Sequence, residues 1–112
     1  MSALVMSLTV YAGAAMEVQE GEASYYADSL HGNKTASGAP YEKDAMTAAH
    51  RSLPFDTKVK VTYLKTGETG EVTVNDRGPH VKSVLIEVSG AAAEKLGMKE
   101  DGVGVVKIEY SE

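Results

Sequence analysis

Hydrophobic and polar residues alternate with a period of two over much of the second half of this chain. Val59, Val61 and Tyr63 fall on one side of a segment, with Lys58, Lys60 and Thr62 on the other. That is the mark of a strand with one buried face. Thr66-Gly67 supplies a hairpin turn, and Glu71 to Asn75 returns with Val72 and Val74 inside. Val84, Ile86 and Val88 predict a third strand, and Val103 to Tyr110 a last one. Nearer the N-terminus, Ala23-Ser24-Tyr25-Tyr26 reads as a first strand. Asp28 to Lys43, rich in Gly, Asn, Ser and Pro, reads as a long loop. Loops of that length in compact domains tend to carry function or move.

One helix is predicted. Ser89 can cap its N-terminus, Ala91-Ala92-Ala93 are strong helix formers, Leu96 falls one turn after Ala92, and Gly97 can close it. Short strands, frequent turns and a single helix predict a mainly β domain, closed or nearly closed.

The length of 112 residues fits one domain. Eleven basic against sixteen acidic residues give a net charge of −5, so no basic field draws a nucleic-acid backbone. No cysteine is present, which excludes a disulfide framework, a thiolate nucleophile and a zinc–thiolate site. Met1 to Ala15 is uncharged, mostly apolar and ends in small residues. It reads as a signal sequence without its basic start, the alternative being an ordinary N-terminal strand or helix. It is shorter than the roughly 20 apolar residues a membrane-spanning helix needs. The expected organisation is a partial signal sequence and acidic spacer over 1–20, then one folded domain over 21–112, in an exported protein.

The segment Asn75-Asp76-Arg77-Gly78-Pro79 places a carboxylate and a guanidinium at the end of a strand, before a sharp turn. Asp76 is the first candidate for chemistry, the plainer reading being a surface turn with a local ion pair. Glu87, between Ile86 and Val88, faces away from the core, toward water or toward a groove. Two carboxylates sharing a groove would raise the pKa of one, as a general acid requires. His50 could orient a carboxylate or could be a buried residue satisfied by backbone. His31 and His80 lie beside turn residues, and the three histidines have no metal-ligand spacing. Of Tyr25 and Tyr26, alternation allows only one on each face. Nothing resembles a nucleophile elbow, a Walker loop or a dinucleotide fingerprint.

Six segments in order carry a resemblance: Gly21-Glu22-Ala23-Ser24-Tyr25-Tyr26, His31-Gly32-Asn33-Lys34-Thr35-Ala36-Ser37-Gly38, Ala45 to Pro54 with Thr47-Ala48-Ala49-His50-Arg51, Val59 to Thr62, Val74 to Pro79, and Glu87-Val88-Ser89 with Ala91-Ala92-Ala93. In order and spacing the chain resembles the rare lipoprotein A family of bacterial envelope proteins, and more distantly the catalytic-like domain of expansins. The resemblance implies a six-stranded double-psi β-barrel with one or two short helices, and no cofactor or metal. It implies an endolytic peptidoglycan transglycosylase, acting as a monomer in the periplasm or envelope on glycan strands stripped of stem peptides, and leaving 1,6-anhydro-muramyl ends. Asp76 would be the acid/base, His50 its neighbour and Glu87 the second carboxylate. Tyr26, Thr35, Arg51, Asn75 and Arg77 would line the substrate. Two positions depart from the family pattern. Ala39 stands where a glutamate is common, and Glu87-Val88-Ser89 stands for Asp-Leu-Ser. The alternative is a non-catalytic, expansin-like glycan-binding module.

Overall fold

A computed structural model describes residues 16–111. The expected signal sequence, Met1 to Ala15, lies outside the described residues. Six strands close into a barrel: β1 (Met16–Tyr25), β2 (Thr47–His50), β3 (Lys58–Tyr63), β4 (Thr69–Asp76), β5 (Val84–Val88) and β6 (Gly104–Ser111). Around the barrel the order is β1-β5-β2-β4-β3-β6. The β1–β5 and β2–β4 pairs are parallel, and the other pairs, including β6 back to β1, are antiparallel.

The alternating residues fill the barrel as the pattern requires. Val59, Val61, Val72, Val74, Ile86 and Ile108 are all buried in one core. Fully burying such a side chain contributes roughly 1.5–3 kcal/mol. Helix α1 (Gly90–Leu96) adds Ala92, Ala93 and Leu96 to this core. Ser89 caps it by accepting from the Ala92 N–H at 3.2 Å, and Gly97 ends it in the left-handed region at φ 76°. Both assignments match the sequence reading.

Two differences have physical causes. β1 begins at Met16, not near Ala23, and pairs with β6 from Met16–Ser111 to Ala23–Gly104. Glu17, Glu20 and Glu22 are therefore strand residues rather than a spacer. Met16 to Glu20 are all exposed, so no buried face imposes alternation there. β2 is only four residues long and contains two alanines, which carry little strand signal. It is nonetheless the central element of the site, lying between β4 and β5. The loop after β1 contains a 3-10 turn at Asp28–Leu30.

Candidate functional site

A bulge builds the site. On the parallel β2–β4 pair, Ala48 lies opposite Val74 but Ala49 lies opposite Asp76, so Asn75 is an extra residue on β4. Strict alternation after Val72 and Val74 would turn Asp76 into the barrel. The inserted residue re-aims it to the outer face. On the other side of β2, Ala49 pairs with Glu87, and Glu87 pairs in turn with Ser24 of β1. Ser24, Glu87, Ala49 and Asp76 thus form one row across four strands. Directly paired residues share a face, and the adjoining row of Val74, Ala48 and Val88 points into the core. With strands about 4.8 Å apart, the backbones of Asp76 and Glu87 are separated by about 10 Å.

Against this row lies a second buried cluster of Tyr26, Tyr41 and Ala49, separate from the barrel core. The two tyrosine rings stack with centroids 4.3 Å apart and planes 12° from parallel. The Tyr26 hydroxyl donates to Asp76 Oδ2 at 2.5 Å. Asp76 Oδ1 accepts from the Ala36 N–H at 2.7 Å and from the Arg77 N–H at 2.9 Å. In all three of these bonds the carboxylate accepts.

Glu87 is different. It is half-buried, and no described residue donates a hydrogen bond or ion pair to it. Burial pushes its carboxyl pKa up, the nearby charge of Asp76 pushes the same way, and His80 opposes both. Burial first, then the bond to Asp76, drives the Tyr26 phenol well above its ordinary value. The row therefore pairs one carboxylate held by three donors and one whose pKa is pushed up by burial and by its neighbour.

The remaining nominated residues have other partners. His50 pairs with Ile86, one position beyond the Asp76 row. Its Nδ1 accepts from the Ser52 and Leu53 N–H groups at 3.1 and 3.2 Å, and its Nε2 is buried without a partner among the described residues. Burial, then Arg51 and Arg77, lower its pKa. His50 thus shapes the turn after β2 through Nδ1, and no hydrogen bond joins it to Asp76 among the described residues. Backbone N–H groups satisfy one ring nitrogen, Nδ1, and leave Nε2 without a partner among those residues. Arg51 donates through Nη2 to the carbonyls of Val81 and Val84, at 2.6 and 2.7 Å, and ties down the segment before β5. Arg77 donates to the His50 carbonyl at 3.2 Å and lies 4.1 Å over the Phe55 ring, with no ion pair to Asp76. Thr35 is buried and donates to the Ala39 carbonyl at 2.6 Å, building the loop tip that presents the Ala36 N–H. The Asn75 carbonyl accepts from the Ser37 N–H at 3.3 Å. Asp76, Glu87 and Tyr26 converge; Thr35, Asn75 and Arg77 support the rim; His50 and Arg51 build adjacent turns.

Sequence reasoning missed Tyr41, the Ala36 N–H and His80. All three lie in loops, where no periodicity marks an inward or outward face. Asp76 and Glu87 are both half-buried on the outer face of the barrel. Two cavities, of about 380 and 300 Å³, lie elsewhere, beside Lys65 and Asp101 and beside Leu53 and Tyr110. Among the described residues no group of three His, Asp or Glu side chains could hold a metal ion.

A closed six-stranded barrel with these two parallel pairs is a double-psi β-barrel. Residues 18–110 match the family described as lytic transglycolase, and the chain belongs to that family. It is 48% identical over 91 residues to the endolytic peptidoglycan transglycosylase RlpA of Neisseria meningitidis serogroup B, covering 81% of this chain and 38% of the relative. It is 47% identical over 89 residues to RlpA of Pseudomonas aeruginosa PAO1, covering 80% of this chain and 26% of the relative. The chain thus spans well under half the length of these relatives. Among solved structures, a Streptomyces papain inhibitor superposes with a TM-score of 0.65 at 26% identity, covering 83% of this chain and 94% of the inhibitor. A Clavibacter michiganensis expansin solved with cellohexaose gives 0.68 at 21% identity, over 84% of this chain and 50% of the expansin. That second likeness is one of fold alone.

Proposed function

We propose that this barrel is an endolytic lytic transglycosylase of peptidoglycan glycan strands. The observation that carries the reading is the Asp76–Ala49–Glu87 row, with two carboxylates in contrasting environments on one open face. Glu87, held toward its protonated form, donates its proton to the glycosidic oxygen as the C1–O bond breaks. Asp76, fixed by the Tyr26 hydroxyl and two backbone N–H groups, offers a negative charge to the cationic sugar that develops. The Glu87 carboxylate then takes the proton of the muramyl 6-hydroxyl as its oxygen bonds to C1. The products are a 1,6-anhydro-muramyl end and a free 4-hydroxyl on the departing sugar, and no water is consumed. This exchanges the parts that the family resemblance implies for Asp76 and Glu87. A peptidoglycan substrate puts the protein in the cell envelope.

A second reading, an expansin-like glycan-binding module, is favoured by one observation. Ala39, at the position where the family resemblance implies a glutamate, is exposed at the tip of the loop that closes on Asp76. Mass spectrometry of stripped glycan strands incubated with wild type and Glu87→Gln separates the two. Anhydro-ended fragments from wild type alone are expected. Reducing-end fragments would mean hydrolysis. Co-sedimentation with glycan but no fragments, from folded protein, would favour the binding module.

A further inference from the structure

Tyr41 is buried in the loop after β1, with a relative exposure of 1%. It makes no hydrogen bond to either groove carboxylate, yet three sets of contacts tie it to the Asp76 environment. Its ring stacks on Tyr26, whose hydroxyl is the donor on Asp76 Oδ2. Its own hydroxyl accepts from the Gly90 N–H at 2.9 Å, pinning the ring to the start of α1. Its backbone closes the loop: its N–H donates to the Asn33 carbonyl at 2.7 Å, and its carbonyl accepts from the Gly32 N–H at 2.8 Å. The tip of that loop supplies the Ala36 N–H to Asp76 Oδ1.

We propose that Tyr41 is a positioning residue, whose anchored ring keeps the Tyr26 hydroxyl on Asp76. The importance of this for turnover rests on the role given to Asp76 above; the positioning itself does not. A phenol on a free-standing tyrosine would sample several rotamers. Sandwiching Tyr26 against a ring that is itself hydrogen-bonded removes that freedom, and a carboxylate placed wrongly by about 1 Å can lose about 10²-fold in rate. The Tyr41 backbone bonds survive substitution of the side chain, so the ring acts through Tyr26 and the loop tip stays closed.

The test uses protein labelled with [13Cζ]tyrosine. The Tyr26 resonance is assigned by its loss in Tyr26→Phe, and its unbonded position is read from Asp76→Ala. Tyr41→Met fills the space without a ring that can stack, and should move the Tyr26 resonance most of the way to the unbonded position. Tyr41→Phe keeps the stack but loses the Gly90 anchor, and should move it part of the way. In turnover, Tyr41→Met should lower kcat about tenfold with KM within about twofold of wild type. In the Tyr26→Phe background it should lower kcat no further, because the hydroxyl it positions is already gone. A Tyr26 resonance unmoved by Tyr41→Met overturns the proposal, as does a full additional kcat loss in the double variant. If Tyr41→Met does not fold, Tyr41→Phe decides, and an unmoved Tyr26 resonance again overturns it. If wild type cleaves no glycan, the proposed function fails, and the resonance alone still decides the role of Tyr41.

Discussion

Asp76 and Glu87 flank Ala49, each paired with it from an opposite side of β2. The geometry places both on the outer row, close enough for the charge of Asp76 to raise the pKa of Glu87. Their surroundings differ in kind. Three donors surround Asp76, while Glu87 has burial and no partner among the described residues. The first expectation concerns that asymmetry. Glu87→Gln should lower kcat by about 10²–10⁴-fold, the contribution typical of a general acid. Asp76→Asn should leave measurable residual turnover, because it removes a stabilising charge and not the proton donor. Equal, complete loss in both variants would return the acid role to Asp76.

The pH profile should follow the same logic. Glu87 must be protonated to act, so the rate should fall as pH rises through its elevated pKa. Asp76→Asn removes one of the two causes of that elevation, so the alkaline limb of the residual activity should move to lower pH. Burial is the larger cause and remains, so the limb should stay above that of a free glutamate. Replacing His80, whose charge opposes the elevation, should move the limb upward. A limb that does not respond to Asp76→Asn would exclude Glu87 as the titrating group. Stability responds in the same sense. A carboxyl with a raised folded-state pKa favours folding as pH falls through that value.

His50 supplies a stability prediction with its own sign. Its folded-state pKa is lowered, chiefly by burial, so the unfolded chain binds the proton more readily. Folding stability should therefore fall as pH drops through the unfolded histidine range near 6.5, and level off below the folded-state pKa. Chemical denaturation of wild type and His50→Gln between pH 5 and 8 isolates this contribution. The difference between them should shrink toward the acid end, because the variant has no imidazole to charge. A difference independent of pH would mean that His50 titrates alike in both states.

The contrast between β5 and β2 shows what the sequence could reveal. β5 buries Val84, Ile86 and Val88 on one side, and alternation locates both the strand and the outward position of Glu87. β2 is four residues with three of them buried, so period two has nothing to act on. The same limit hides the start of β1, where Met16 to Glu20 are exposed on both faces. Asp76 is legible as a residue because Gly78-Pro79 marks the end of its strand. Its orientation is not, since the bulge at Asn75 appears only when β4 is paired with β2. Tyr41 is silent for a related reason. Its partners Tyr26 and Gly90 are fifteen and forty-nine positions away, and its own segment reads only as loop.

Ser89 has two local duties. It accepts from Ala92 N–H as the N-cap of α1, and from Thr47 N–H at 3.4 Å at the start of β2. Ser89→Ala should cost about 1 kcal/mol or somewhat more, the usual loss for an N-cap. Denaturant midpoints measure it. A neutral outcome would mean that water replaces the cap at a site with no exposure.

The bulge makes a sharper claim than any side chain. Deleting Asn75 restores simple alternation after Val72 and Val74, so Asp76 must either enter the apolar barrel or force β4 to slip on its partners. Burying an unpaired carboxylate among Val74, Ala48 and Val88 costs several kcal/mol. A one-residue slip instead would misplace every valine of the strand. Deletion should therefore abolish turnover and lower stability by several kcal/mol. Asn75→Ala keeps the residue count, the bulge and the carbonyl that accepts from Ser37. It should hold stability within about 0.5 kcal/mol of wild type and retain cleavage. The pair is read by denaturant midpoints and by fragments from stripped glycan. Retained cleavage in the deletion variant would show that Asp76 does not need the outer row, and with it the two-carboxylate site would fall.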